Sequence, residues 1–139
     1  MCSSPPGFCQ TSEVDMRAGV VGVGHLGYHH ARLLRGLAED VSVFDTDADR
    51  LSVVCSELGV TPTGSLEELL DTVDALVVAC PTGVHHRVAR EALSREVPVL
   101  VEKPLAATVA EAEDLTALAR ERNTVLAVGH VERFNPAMT

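Results

Sequence analysis

Gly22-Val23-Gly24-His25-Leu26-Gly27 is a G-x-G-x-x-G run at the junction of an apolar stretch and an amphipathic one. Glycines at this spacing suit phosphate binding. The first permits a tight turn, the second lets backbone approach a pyrophosphate, and the third allows a helix to pack close to its strand. The start of that helix adds free N–H groups and a positive dipole end. Gly22, Gly24, His25, Leu26 and Gly27 are therefore candidate cofactor-binding positions, His25 through its backbone rather than its ring. Glycines also make ordinary turns, but a strand–loop–helix setting favours a dinucleotide. Asp45 ends the next apolar run, about 20 residues downstream, where a ribose-binding acid is expected. Its carboxylate can accept from a ribose 2′-hydroxyl and would repel a 2′-phosphate, so NAD is favoured over NADP. Arg50 works against that preference, and helix capping beside Asp47 is the competing role for Asp45.

Three further segments carry groups able to do chemistry: Cys80-Pro81-Thr82-Gly83-Val84-His85, Glu102-Lys103-Pro104, and the run from Gly129 to Pro136. Lys103 is the single lysine of the chain. Lysine can lose its proton when desolvated, which suits acid–base work, whereas arginine cannot. A solvated surface turn is the plainer reading. Pro104 makes Lys103 extended and allows a cis bond. His85 either donates to a carbonyl or ribose, or faces solvent early in its helix. His130 and Arg133 follow the last apolar run. Arg133 is placed to bind an anionic substrate, or else pairs with Glu132 at the surface. His29, His30 and His86 read as packing or surface residues.

These segments need a scaffold that gathers them. Strands are expected over Arg17 to Val23, Val41 to Asp45, Val60-Thr61, Asp74 to Ala79, Pro98 to Val101 and Thr124 to Gly129. Helices alternate with them. One runs from His25 to Leu37, with Leu26, His30, Leu33, Leu34 and Leu37 on one face. A second is capped by Asp47 and turns Leu51, Val54, Cys55 and Leu58 inward. Capping boxes at Ser65–Glu68 and Thr108–Glu111 open two more, the latter running to about Arg122. Another covers Thr82 to Ser94, with Val84, Val88, Ala89 and Ala92 inward. A β-α repeat of this kind predicts an α/β fold, a Rossmann-type doubly wound parallel sheet with helices on both faces. In such a sheet all the strand ends that lead into these segments face one crevice.

Composition agrees. Apolar residues make up 46% of the 139 residues and aromatics only 3%, so the core is built from Val, Leu and Ala, as buried parallel strands require. A net charge of −9 disfavours nucleic acid and anionic membrane as partners. No apolar run is long enough for a membrane span. Cys2, Cys9, Cys55 and Cys80 show neither CxxC nor zinc spacing, so no metal is expected and the thiols read as reduced, in a cytoplasmic setting. Residues 1–16 read as a flexible leader, 17–134 as the dinucleotide-binding domain, and 135–139 as the start of a substrate domain that is missing.

Taken together, GVGHLG with the following HARLL, then CPTGVHH, VEKPLA and VGHVERFNPA, resemble the Gfo/Idh/MocA oxidoreductase family, in the family's order over nearly all of residues 17–139. The ending VGHVERFNPA is similar to the branch that acts on C3 of UDP-N-acetylglucosamine in lipid A precursor synthesis. The resemblance implies an NAD-dependent dehydrogenase that moves a hydride from a sugar or nucleotide-sugar hydroxyl carbon to NAD, and a homo-oligomer at full length. It also implies site roles. Lys103 would hydrogen-bond the reacting hydroxyl and assist its proton transfer. Glu102 and His85 would lie near the nicotinamide ribose, and Pro81 and Thr82 along the cofactor path. Arg133 and Asn135, with His130 beside them, would face the substrate. The family's Asp/His proton-transfer pair belongs to its second domain and has no counterpart here, so the chain alone is expected to be inactive, with apolar sheet surface left uncovered. The rival reading is a non-catalytic NAD(H)-sensing module, which would have no use for EKP or VGHVERFNPA.

Overall fold

A computed structural model describes residues 15–130 and 136–138. Its strands are β1 (Arg17–Val21), β2 (Asp40–Phe44), β3 (Thr61–Pro62), β4 (Ala75–Val78), β5 (Val99–Glu102) and β6 (Leu126–Gly129). They form one sheet in the order β3-β2-β1-β4-β5-β6, with every pair parallel. Succession runs one way from β1 to β3 and the other way from β4 to β6. The chain therefore switches direction between β1 and β4, and a crevice opens there beyond the strand ends.

Five helices cover the sheet: α1 (His25–Leu34), α2 (Ala48–Leu58), α3 (Leu66–Thr72), α4 (His85–Ser94) and α5 (Val109–Glu121). Side chains alternate across each strand, so each central strand feeds two cores. Val20, Val43 and Val77 join Ala31, Val54 and Val60 under α1 and α2. Val21, Leu76, Val78, Val99 and Val101 join Leu69, Val88, Leu93 and Leu115 under α3, α4 and α5. A shallow apolar recess on the α1 face is lined by Leu34, Leu100, Val125 and Ala127.

Local signals explain most helix ends. Asp47 accepts from the Arg50 N–H and caps α2, which stops at Gly59 in a left-handed conformation, φ 65°. Thr108 and Glu111 form the reciprocal capping box of α5. At α3 only half of the expected box forms. Ser65 accepts from the Glu68 N–H, but the Glu68 carboxylate reaches past it to the Gly64 N–H at 2.7 Å.

Several expectations shift. β1 ends at Val21 rather than Val23, because Gly22 turns the chain at φ +86°. Met16, just before β1, is tied to the segment before β2, its carbonyl accepting from the Glu39 N–H; residues 1–14 lie outside the described residues. Thr82–Val84 is a 3-10 turn, and the α-helix starts only at His85. Most consequentially, α1 is shorter and rotated relative to the periodicity reading. It stops at Leu34, and the chain tightens into three-residue turns at Gly36 and Leu37. Leu26, Leu33 and Leu37 are exposed. The buried residues of α1 are Gly27 and Ala31, with Tyr28 and Leu34 half-buried beside them. Small residues face inward because the helix axis lies close to the sheet. A Cβ on Gly27 would overlap the Gly22 carbonyl oxygen, a backbone atom that cannot move aside.

That contact makes a stability prediction. Gly27→Ala is expected to destabilise the fold by about 3 kcal/mol, the upper end for overpacking a rigid core. Urea denaturation followed by far-UV circular dichroism measures it, and an unchanged midpoint would contradict the close approach of α1.

Candidate functional site

The crevice at the switch point is a cleft of about 780 Å3. Its walls come from the segments after β1, β2, β3 and β4. Gly22, Gly24, His25 and Leu26 form the first wall, and Asp45, Thr46 and Arg50 the second. Ser65, Leu66 and Glu67 stand on a third side, with Cys80, Pro81, Val84 and Arg87 opposite.

The glycine loop divides its work among three residues. Gly22 has positive φ, and a Cβ on it would come 2.6 Å from the Cys80 backbone nitrogen, so both the turn and the neighbouring loop require glycine. Gly27 is the packing contact described above and is buried away from the cleft. Gly24 is different: a Cβ there would meet no protein atom within 4 Å. Nothing in the fold demands glycine at that position, and it stands on the cleft wall as the N-cap of α1 with no side-chain capping bond. The first turn of α1 holds no acidic residue. Its leading N–H groups lack intrahelical acceptors, so the cleft presents a partial positive charge on bare backbone, which suits an anion.

Asp45 is tied down on its inner side. One oxygen accepts from the Val23 N–H at 2.9 Å and the other from the Asp47 N–H at 2.8 Å. The side chain is only 7% exposed, and Arg50 stands 3.6 Å from it while also pairing with Asp47. Each carboxylate oxygen has a second lone pair, so the group both clamps the glycine loop and keeps an acceptor edge on the cleft. The capping role belongs to Asp47. Burial pushes the Cys80 thiol above its ordinary range, with a small opposing pull from Arg87.

Not every candidate lines this cleft. Thr82, His85, Glu102, Lys103 and His130 lie outside its wall, so one cavity does not collect all five segments. His85 is buried at 2% exposure, which excludes the solvent-facing alternative. Its ring nitrogens face the Cys80 and Pro104 carbonyl oxygens at 2.7 and 2.9 Å. Of the alternatives the sequence left, the contact with a carbonyl is the one the structure shows: with both nitrogens on backbone carbonyls, the ring staples the loop after β4 to the loop after β5. Lys103 is exposed, and the Lys103–Pro104 bond is cis. Glu102 is buried, with Oε1 2.5 Å from His30 Nε2. His130 is exposed just past β6. Arg133 and Asn135 lie outside the described residues.

His86 keeps the structural role expected of it. It bonds Asp114 at 2.8 Å, tying α4 to α5, and together with Arg90 holds the Asp114 carboxyl below its usual range. His30, expected as a packing or surface residue, is half-buried against Glu102. The available signal was its helical spacing, since Gly27, His30, Ala31 and Leu34 follow the i, i+3, i+4, i+7 pattern of an inward face. No helix among the described residues is long and apolar enough to cross a membrane.

Comparison with known proteins agrees with this geometry. Over 125 residues the chain is 41% identical to the UDP-N-acetylglucosamine 3-dehydrogenase of Acidithiobacillus ferrooxidans, matching 90% of this chain and 40% of that protein. The solved structure of that enzyme superimposes with a TM-score of 0.86, over 90% of this chain and 42% of the other. Inositol 2-dehydrogenase 1 of Saccharopolyspora erythraea is 39% identical over 133 residues, covering 89% of this chain and 39% of the relative. GenD2 from gentamicin A biosynthesis, solved in complex with NAD, is 34% identical with a TM-score of 0.80, over 92% of this chain and 37% of GenD2. The chain thus spans about 40% of the length of the curated relatives it matches. Residues 16–130 match the Gfo/Idh/MocA oxidoreductase family through its NAD-binding Rossmann fold, and the chain belongs to that family.

Proposed function

We propose that the chain is the nucleotide-binding part of an NAD-dependent dehydrogenase that oxidises a hydroxyl of a sugar or nucleotide sugar, with C3 of UDP-N-acetylglucosamine as the favoured case. The observation that carries the cofactor half is the empty space above Gly24, a glycine that the fold itself does not need, at the N-terminus of an acid-free helix. The substrate half leans on the identity to the Acidithiobacillus ferrooxidans enzyme.

In this reading Gly22, Gly24, His25 and Leu26 offer backbone to the pyrophosphate. Asp45 accepts from the adenosine ribose, and Pro81 and Thr82 border the cofactor path. Bound NAD supplies an acceptor for the hydride leaving a carbinol carbon. Lys103 binds the reacting hydroxyl and helps its proton leave, and Glu102 receives the nicotinamide ribose. His85 acts through the loops it joins. His130, Arg133 and Asn135 face the substrate. Substrate holding and the second proton-transfer group are assigned to the part of the relatives that this chain does not span. A non-catalytic NAD(H) sensor is the alternative, and Lys103 separates the two.

Three measurements test this. Gly24→Ala is expected to leave the urea midpoint within about 0.5 kcal/mol of the original and to weaken NADH binding at least about tenfold, roughly 1.4 kcal/mol. Equal NADH affinity in the variant would remove the phosphate site. NADH is also expected to slow alkylation of Cys80, which stands on the cleft wall, but not of Cys55, read by peptide mass spectrometry. With UDP-N-acetylglucosamine the 139-residue chain should produce no NADH. A chimera completed with the remainder of the Acidithiobacillus ferrooxidans enzyme should produce it, and Lys103→Met should lower its kcat by about 10²- to 10⁴-fold while NADH binding persists. Turnover by the chain alone, or an unaffected kcat, would refute the assignment.

A further inference from the structure

The contact between His30 and Glu102 is unexplained by the fold. Glu102 ends β5 and points to the α1 face, since Val99 and Val101 point to the other. Its carboxylate is buried, with Oε1 2.5 Å from His30 Nε2. On its far side lies β6, where its register partner is Gly129. A Cβ on Gly129 would press within 3.1–3.2 Å of the carboxylate atoms. Glu102 is thus gripped between an imidazole and a residue that leaves it room. Its second oxygen, Oε2, makes no hydrogen bond with the described residues. The Glu102 side chain keeps 9% of its surface exposed. A buried carboxylate paired to histidine is a costly way to join a helix to a strand, because an apolar pair would do it without desolvation.

We propose that His30 is a positioning residue for the nicotinamide half of the cofactor. By holding Oε1 it aims Oε2 outward toward the nicotinamide ribose. It also ties the strand that carries Lys103 to the helix whose N-terminus binds the phosphates, so that the two ends of one ligand are held in a common register. This rests on the cofactor reading above, which assigns the ribose to Glu102.

The test compares two ligands on the 139-residue chain by titration calorimetry: NADH, and ADP, which keeps the adenosine and both phosphates but lacks the nicotinamide ribose. His30→Ala is expected to lower NADH affinity about tenfold, the loss of one charge-assisted hydrogen bond, and to leave ADP affinity within about twofold. A purely structural histidine would weaken both ligands together. His30→Gln, which keeps a side-chain N–H donor, is expected to recover most of the loss. Gly129→Ala, which crowds the carboxylate without touching His30, is expected to repeat the selective loss. Unchanged NADH affinity in His30→Ala, or equal losses for both ligands, overturns the proposal. An unsubstituted chain that takes up neither ligand overturns the cofactor reading and this inference with it. Uptake of ADP with no selective effect of the variants overturns this inference alone.

Discussion

The third residue of helix α1 sits where no side chain can stand. That residue, Gly27, rests on the carbonyl oxygen of Gly22, backbone against backbone, and the rest of the site follows from that approach. Because the helix lies so close, its first N–H groups open directly onto the strand ends at the point where β1 and β4 diverge. The dipole end and the crevice therefore coincide without any charged side chain being spent on the phosphates. The close approach also dictates that Ala31 and not a leucine fills the next inward turn. It brings His30 within reach of β5 as well.

The loops around the cleft hold each other rather than hanging from the sheet separately. Asp45 reaches back to the Val23 N–H and joins the end of β2 to the glycine loop. His85 bridges the carbonyls of Cys80 and Pro104 and joins the segments after β4 and β5. His30 and Glu102 join α1 to β5. Each tie involves a buried or half-buried polar side chain whose hydrogen bonds are worth more in a poorly solvated setting than at the surface. Together they link four loops by side chains that sit just behind the surface offered to a ligand. Preorganisation of this kind lowers the ordering a ligand must impose when it binds.

Charge is distributed to match. The chain is acidic as a whole, yet the cleft presents helix N–H groups and two arginines, Arg50 and Arg87. Arg50 is partly neutralised by Asp45 and Asp47. The carboxylate beside it keeps that corner from being a simple phosphate site, which agrees with a preference for a ribose bearing a hydroxyl. The exposed Lys103 stands apart from this cleft, just past the end of β5.

Much of this was legible from the chain alone. The doubly wound parallel sheet could be anticipated because apolar runs alternate with amphipathic ones, and right-handed crossovers leave such a sheet few ways to wind. The glycine loop, Asp45 and the caps at Asp47 and Thr108 follow from local spacing. Local rules suffice for them, since a turn, a cap or a phosphate loop is specified by neighbouring residues. What only tertiary structure decided was which way side chains face once elements pack. Periodicity placed the leucines of α1 inward, but helix-to-sheet distance put Gly27 and Ala31 there and left Leu26 and Leu33 exposed. Spacing could not say whether His85 would reach a ligand or a carbonyl, because its partners lie 5 and 19 residues away on two loops. His30 and Glu102 stand 72 positions apart. No local pattern encodes a contact across that separation: it exists only because α1 packs on the face of the sheet to which Glu102 of β5 points.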